Sequence, residues 1–250
     1  RPFPEDKMWS KWVSPTVKVI QDIYLPNASG ISTVSKGISK FLANDHKLKI
    51  PPLVLRSVPF YERQPFNKTG KKIKVLYHGE IYKTRSLDYA VRSLKYTNKN
   101  IHLTLRGYGD ENYKKELLEI AKNCGCEKRI TIEEPVPFDK IISFANNHDI
   151  GYFVSSKFSP QRKHTLPNKF FEYIMAGLCL FVSDVPEMSK IIKQYKCGIL
   201  AKNLDERLIA NMLNNLTPSK IDDMKKNSLE AAKKFNWEKE EAKLKKWNIS

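Results

Sequence analysis

The strongest indication of the fold comes from residues 166–184, which read Leu166-Pro-Asn-Lys-Phe-Phe-Glu172-Tyr-Ile-Met-Ala-Gly177-Leu-Cys-Leu-Phe-Val-Ser-Asp184. Asn168 fits the N-cap of a helix that follows Pro167, and apolar residues repeat at helical spacing behind it. Gly177 fits the position just beyond the helix, where a left-handed conformation favours glycine. The apolar run 178–182 is typical of a buried strand in a parallel sheet. The segment therefore predicts a helix that leads directly into a buried strand.

Glu172 is the one carboxylate of this otherwise apolar helix. A carboxylate in apolar surroundings costs free energy unless it has a partner, so it indicates either a binding function or an ion pair. The ion-pair interpretation would use Lys169, about one turn earlier. From this segment alone the two interpretations have equal weight.

The chain is strongly basic. Its 250 residues include 44 Lys and Arg against 27 Asp and Glu, a net charge of +17. This balance favours anionic partners such as nucleotides, lipid phosphates or an anionic membrane surface, although lysines spread over helices are as often only a solvated face. No nucleic-acid recognition motif accompanies the charge, so we do not expect nucleic acid as a partner.

The four cysteines are Cys124, Cys126, Cys179 and Cys197. Their spacing completes no zinc site, so we expect free thiols in a reducing compartment and no bound metal. No apolar run approaches the roughly 18 residues of a membrane span. We therefore expect a cytoplasmic protein, with peripheral contact at the inner face of an anionic membrane.

From residue 72 onward the sequence alternates between strands and helices. Strands are predicted at 73–78, 101–106, 129–133, 150–154, 178–182 and 198–201, and helices at 87–96, 111–123, 138–146, 168–176, 187–195, 205–216 and 218–235. Alternation at this spacing predicts an α/β domain in which helices cover both faces of a parallel sheet. With right-handed crossovers this is a Rossmann-like, doubly wound domain over residues 72–235.

Residues 1–60 predict an incomplete α/β piece. It has two helices, 6–25 (broken or kinked at Pro15) and 36–42, and two strands, 31–35 and 53–58. This is too little for a three-layer domain. Residues 61–71 read as an interdomain linker, and the last segment, 236–250, predicts a charged helix (237–247) that packs back on the N-terminal piece.

Ligands of doubly wound sheets bind beyond the carboxyl ends of the strands, so the loops there form the candidate site. Four loops are expected at this edge: residues 78–86, 106–110, 134–137 and 155–169. In the first, Gly79 lets the backbone approach a ligand, while Lys83 and Arg85 supply charges that suit a diphosphate. Gly107 lies in the second loop and Val136 in the third, a rigid turn that could present backbone groups to a base. Each loop alone is more typical of ordinary turn chemistry, but their joint placement favours an anion site.

These motifs resemble those of the C-terminal, donor-binding half of GT-B glycosyltransferases, specifically glycosyltransferase family 4. The similar segments are Pro167-Asn-Lys-Phe-Phe-Glu-Tyr-Ile-Met-Ala-Gly177, Ser183-Asp-Val-Pro-Glu187, Tyr77-His-Gly79, Leu105-Arg-Gly-Tyr-Gly109, Pro135-Val-Pro137 and Cys197-Gly198. The resemblance implies a transferase of polysaccharide biosynthesis. Its reaction would move a sugar, with retention and without metal or cofactor, from a UDP- or GDP-linked donor to a glycan or lipid-linked acceptor.

The resemblance also implies roles for single residues. Glu172 matches the second glutamate of the family's E-x7-E motif, which holds the ribose hydroxyls. His164 stands where the first glutamate, which contacts the donor sugar, would be, so the chain departs from the motif there. The backbone amides of Asn168 and Lys169 would meet the phosphates.

The family's basic pair for the diphosphate maps loosely onto Lys83 and Arg85, while Glu80 occupies a position where arginine is often seen. The acceptor half, with its catalytic base, has no counterpart in the sequence, so the catalytic residues are unknown. We expect a fragment of a longer enzyme, able to bind nucleotide but not to transfer sugar alone, or a chain whose acceptor half another chain supplies. The alternative is a catalytically inactive nucleotide-binding or interaction subunit that pairs with another chain, which His164 favours slightly.

Overall fold

A parallel β-sheet forms the centre of the computed structural model, which describes residues 9–155 and 164–247. The strands are β1 (Ser32–Thr33), β2 (Leu53–Val54), β3 (Ile73–His78), β4 (Ile101–Arg106), β5 (Ile130–Glu133), β6 (Ile150–Phe153), β7 (Cys179–Ser183) and β8 (Gly198–Ala201). The α-helices are α1 (Ser14–Tyr24), α2 (Lys36–Asp45), α3 (Leu87–Ser93), α4 (Glu111–Asn123), α5 (Ile141–Ala145), α6 (Asn168–Met175), α7 (Pro186–Tyr195), α8 (Glu206–Asn214), α9 (Pro218–Ala232) and α10 (Trp237–Lys245).

The main sheet has six strands in the order β5-β4-β3-β6-β7-β8, and every neighbouring pair is parallel. The order reverses between β3 and β6, where the chain crosses from one half of the sheet to the other. This topology confirms the predicted doubly wound α/β fold, and it places a crevice at the carboxyl ends of β3 and β6. The short strands β1 and β2 form a separate parallel pair.

The centre of the sheet is buried on both faces, because helices cover it on both sides. All residues of β6 and β7 are buried, as are Phe170, Phe171 and Tyr173 of α6, which packs against α9 and β7. Each fully buried side chain of this size contributes about 1.5–3 kcal/mol of transfer free energy. The segment that predicted the fold is therefore the centre of its core.

Most element bounds follow the predictions, with two corrections in the 166–184 segment. The buried strand is Cys179–Ser183, one residue later than predicted, because Gly177 (φ +68°) and Leu178 complete the turn that ends the helix. Asn168 is not the N-cap. Pro167 takes that position in an extended conformation, and its carbonyl accepts the N–H of Phe170 at 3.0 Å, so Asn168 becomes the first helical residue.

The N-terminal segment also differs from its prediction. Pro15 does not break a helix; it lies in the first turn of α1, where its missing N–H is not needed, and a π-helical turn (Trp9–Val13) precedes it. The strands predicted at 31–35 and 53–58 shrink to two residues each. Residues 6–8 of the predicted helix lie outside the described residues.

Helix α10 contacts the N-terminal segment. Its Glu240 pairs with Arg56 at 3.1 Å, and the Trp237 N–H donates to the carbonyl of Pro59 at 2.8 Å. The Trp247 ring lies so close to Gly30 that a Cβ there would be 2.7 Å from it. These contacts join the two ends of the described chain. The predicted division into domains, with boundaries at residues 60, 71 and 235, stays a prediction.

The four cysteines are free, as predicted. Over residues 9–155 and 164–247, every helix falls short of the length and apolar character that crossing a bilayer requires.

We expect Gly107→Ala to destabilise the fold by about 1–3 kcal/mol, the scale of backbone strain. Gly107 has φ +149°, and a Cβ there would lie 1.9 Å from the carbonyl oxygen of Gly79. Urea unfolding measures the loss. Gly70→Ala is the matched control, because its Cβ would meet nothing within 4 Å. Equal stability of the two variants would contradict the close packing of the loops.

Candidate functional site

The site begins where β3 and β6 separate. Their paired residues are Val75 and Leu76 with Ile150 and Gly151. Beyond this pairing, the hydroxyl of Tyr173 from α6 bridges the strands: it accepts the backbone N–H of His78 at 3.1 Å and donates to the carbonyl of Tyr152 at 3.3 Å. Gly151 makes room for the Tyr173 ring, since a Cβ there would lie 2.4 Å from it. A side chain of α6 thus joins β3 and β6 at the point where the two strands separate.

The loops after β3 and β4 form one wall of the crevice. The Gly79 N–H donates to the Arg106 carbonyl, and the Ile81 N–H donates to the Tyr108 carbonyl, each at 2.9 Å. Parallel pairing therefore continues past the ends of the strands. The close approach of Gly107 to the backbone of Gly79 leaves no room for a Cβ, which explains why position 107 is a glycine. A part for Gly107 in ligand binding stays a prediction.

Lys169 extends its side chain over Gly79. Its ammonium lies 4.1 Å from the ring centroid of Tyr77 and 5.2 Å from that of Phe153, and a Cβ on Gly79 would be 2.7 Å away. Among the described residues no carboxylate forms an ion pair with it. Burial lowers the pKa of Lys169 to about 7, and Arg85 adds to the shift, while nearby carboxylates oppose it. The resemblance gave Lys169 only a backbone contact with the phosphates; its side chain supplies a cation at the switch point.

Glu172 contacts His78, and not Lys169 as the ion-pair interpretation required. Its Oε2 lies 2.7 Å from Nε2 of His78, with the two side chains 15% and 10% exposed. The atoms are close but not aligned, so the buried Nε2 lacks a proper hydrogen-bond partner. Burial lowers the pKa of His78 below its ordinary value, although Glu172 opposes the shift. The pair is therefore a carboxylate beside an imidazole that favours its neutral form.

Lys83 and Arg85 each pair with a carboxylate, although Arg85 is near enough to Lys169 to help lower its pKa. Lys83 is 69% exposed and pairs with Glu116 of α4 at 2.8 Å. Arg85 pairs with Glu80, and it lowers the pKa of that carboxyl. Because each of these two cations has a carboxylate beside it, the positive charge of the loop after β3 is largely compensated. The diphosphate role of both residues stays a prediction.

The remaining predicted residues lie around the crevice. Asn168 is exposed at the first position of α6, and Val136 is half-buried in the loop after β5. His164 lies against Gly37 at the start of α2, where a Cβ would be 2.1 Å from Nδ1 of His164. The Gly37 N–H donates to Glu187 at 2.7 Å, so His164 and Glu187 meet the N-terminal segment together. Residues 156–163 of the fourth predicted loop lie outside the described residues.

Comparison with known families gives a match over most of the chain. The sequence model of the family described as glycosyl transferases group 1 matches residues 61–235. The chain belongs to this family. The match runs from the predicted linker to just beyond α9, so it includes the whole six-stranded sheet and its crevice. A comparison with curated protein sequences gives no match.

Solved structures share the fold of this glycosyl transferases group 1 chain. HepE of Anabaena in complex with UDP superposes with a TM-score of 0.72 at 13% identity, over 88% of this chain and 63% of that chain. A mutant of S. aureus TarM, in complex with fondaparinux, alpha-GlcNAc-glycerol and UDP, gives 0.74 at 12%, over 93% and 46%. Sucrose-phosphate synthase of Thermosynechococcus elongatus gives 0.72 at 16%, over 93% and 60%. The likeness shows the GT-B fold, of which this chain spans less than two thirds in these proteins.

Sequence reasoning assigned no role to three polar residues that end neighbouring strands. His78, Arg106 and Glu133 are paired in register across β3, β4 and β5. Arg106 is buried and donates Nε and Nη2 to Glu133, at 2.9 Å and 2.6 Å. The signal was visible, since the three neighbouring strands β3, β4 and β5 of this glycosyl transferases group 1 chain each end in a charged or titratable residue. No cluster of three or more potential metal ligands occurs within the described ranges.

We expect Lys169 to lose its charge as the pH rises through about 7. NMR titration of lysine Cε carbons measures this, and the resonance missing in Lys169→Arg assigns it. Because the folded-state pKa lies below the unfolded value, the contribution of this group to the free energy of unfolding should rise between about pH 7 and pH 10.5. Titration of that resonance near pH 10 would contradict the buried position of the ammonium.

Proposed function

We propose that this protein transfers a sugar from a nucleotide-sugar to a glycan or lipid-linked acceptor. The observation that carries the proposal is Lys169, whose ammonium lies over Gly79 at the switch point without an ion-pair partner among the described residues. Glu172 follows one turn later on the same helix. A cation and a carboxylate at this spacing suit a diphosphate and the ribose hydroxyls next to it. Neighbouring structures that contain UDP and UDP-glucose support this ligand class.

The proposed chemistry follows from the charge of the leaving group. Departure of a nucleoside diphosphate builds negative charge on its phosphate oxygens. Lys169 and the N–H groups of the first turn of α6, including that of Asn168, face this charge and stabilise it without reorganisation. Fixed cations and a helix N-terminus can provide what a divalent cation provides elsewhere, so the proposal includes transfer without metal or cofactor. Retention of the anomeric configuration is proposed from the family resemblance.

The setting of the reaction is also a proposal. The chain spans 46–63% of the three compared structures, so the activity belongs to a protein with a complete acceptor half. The net charge of +17 suits a cytoplasmic enzyme of polysaccharide biosynthesis at an anionic membrane surface. Turnover of a panel of UDP- and GDP-linked sugars, measured as nucleotide release by the full-length protein, tests the proposal.

A catalytically inactive, nucleotide-binding subunit is the second candidate. It is favoured by His164, which stands where the motif has a glutamate and which packs against Gly37. The same nucleotide-release assay distinguishes the two candidate functions. Tight nucleotide binding without release from any donor, in the presence of the acceptor half, would favour the inactive subunit.

Glu172→Ala should weaken the binding of UDP or GDP by about 1–3 kcal/mol, the scale of a charge-assisted hydrogen bond. Pyrophosphate has no ribose, so its affinity should be unchanged. Isothermal titration calorimetry measures both ligands, and circular dichroism checks that the variant is folded. Unchanged nucleotide affinity in a folded variant would show that Glu172 does not hold the ribose.

Lys169→Met should weaken nucleoside diphosphate binding more than Lys83→Met. Lys83 already pairs with Glu116, whereas the ammonium of Lys169 lies at the crevice and is available to the diphosphate. In the unmodified protein the affinity should fall as the pH rises above about 7. Lys169→Arg should remove this dependence, because arginine stays charged. Calorimetry at several pH values measures the affinity. A larger loss of affinity in Lys83→Met than in Lys169→Met would indicate that the diphosphate binds at the loop after β3.

A further inference from the structure

We propose that His78 is a positioning residue, which holds one oxygen of Glu172 so that the other oxygen faces the ribose hydroxyls of a bound nucleotide. The inference rests on the proposed function and deepens it, because it explains how the crevice recognises the ribose. Two independent sets of contacts carry it: those that fix His78 in place, and the one that His78 makes with Glu172.

His78 is held on its backbone and on its ring by the same neighbour. Its N–H donates to the hydroxyl of Tyr173 at 3.1 Å, and its ring lies against the Tyr173 ring with centroids 4.7 Å apart and planes inclined by 32°. As the last residue of β3, it is also paired in register with Arg106 of β4. The imidazole therefore has little freedom to move.

Tyr173 is itself fixed. Its side chain is fully buried, its hydroxyl donates to the carbonyl of Tyr152 at 3.3 Å, and its ring occupies the space that Gly151 leaves. Tyr173 and Glu172 are consecutive residues of α6. The helix that carries the carboxylate thus also carries the ring that supports its partner, so the geometry between Glu172 and His78 is set within one small unit.

The contact with Glu172 is short but incomplete. Nε2 of His78 lies 2.7 Å from Oε2, yet it is buried and has no aligned hydrogen-bond partner. The terminal torsion of a glutamate rotates easily, and a rotation can align Oε2 with the Nε2–H. Oε1 is then directed by the same rotation and can accept the O–H of a ribose hydroxyl.

The charge state of the pair suits this role. Burial lowers the pKa of His78 most, Glu172 opposes that shift, and Lys169 of α6 and Arg106 of β4 add to it. A neutral imidazole orients the carboxylate through its N–H without compensating its charge. Glu172 therefore keeps its full strength as an acceptor for the ribose.

The test compares His78→Phe with His78→Gln. Phenylalanine keeps the ring on Tyr173 but removes the N–H, whereas the glutamine amide can place a donor near the position of Nε2. The ligands are UDP and GDP, their 2′,3′-dideoxy forms, and pyrophosphate, all measured by calorimetry. The ratio of affinities between each nucleotide and its dideoxy form should fall by about tenfold in His78→Phe, which corresponds to about 1.4 kcal/mol. His78→Gln should retain most of the ratio, and pyrophosphate should bind all variants equally.

An unchanged ratio in folded His78→Phe would overturn the inference and leave the proposed function standing. If the unmodified protein binds neither UDP nor GDP, the proposed function fails, and this inference fails with it. Should His78→Phe not fold, Tyr173→Phe serves as the second variant, since it removes the hydroxyl that holds the His78 backbone. A lowered ratio in Tyr173→Phe with unchanged pyrophosphate affinity would support the inference, and an unchanged ratio would overturn it.

Discussion

One hydroxyl group links the two halves of the sheet at the point where ligands enter such folds. The Tyr173 hydroxyl contacts both β3, through the His78 N–H, and β6, through the Tyr152 carbonyl. It does so from α6, so a helix of the core also fixes the two strands relative to each other beside the crevice. Gly151 is a condition of this arrangement, because any larger residue would meet the Tyr173 ring. The positions of Glu172 and Lys169 on the same helix follow from it.

The electrostatics of the crevice depend on which charges find local partners. The protein carries a net charge of +17, but the loop after β3 is nearly compensated, since Glu80 pairs with Arg85 and Glu116 with Lys83. The ammonium of Lys169 instead faces two aromatic rings. Because burial makes that ammonium costly, an anionic ligand that pairs with it would recover free energy lost on folding. An excess of positive charge in the sequence therefore says less about the site than the position of this one lysine.

The wall made by the loops after β3 and β4 shows why glycine patterns in sequences are ambiguous. Gly79 was predicted to let the backbone approach a ligand, and Gly107 was a candidate binding residue of the next loop. The structure places Gly107 against the backbone of Gly79, which explains the glycine by packing, and it places Gly79 under the side chain of Lys169. Both glycines are needed for the wall, and Gly79 also lies next to the Lys169 ammonium. Sequence alone cannot separate these two uses, since each requires a residue without a Cβ.

The sequence by itself determined the class of fold, the alternation of elements and the importance of the 166–184 segment. These features depend on local periodicity, on glycine at helix ends and on apolar runs, which neighbouring residues encode. It also singled out Glu172, because a carboxylate in an apolar helix is a local anomaly. Only the tertiary structure decided that its partner is His78 and not Lys169, that Lys83 pairs with α4, and that His164 meets Gly37. Those contacts join residues far apart in the chain, and their distances are set by strand order and helix packing, which no local pattern specifies.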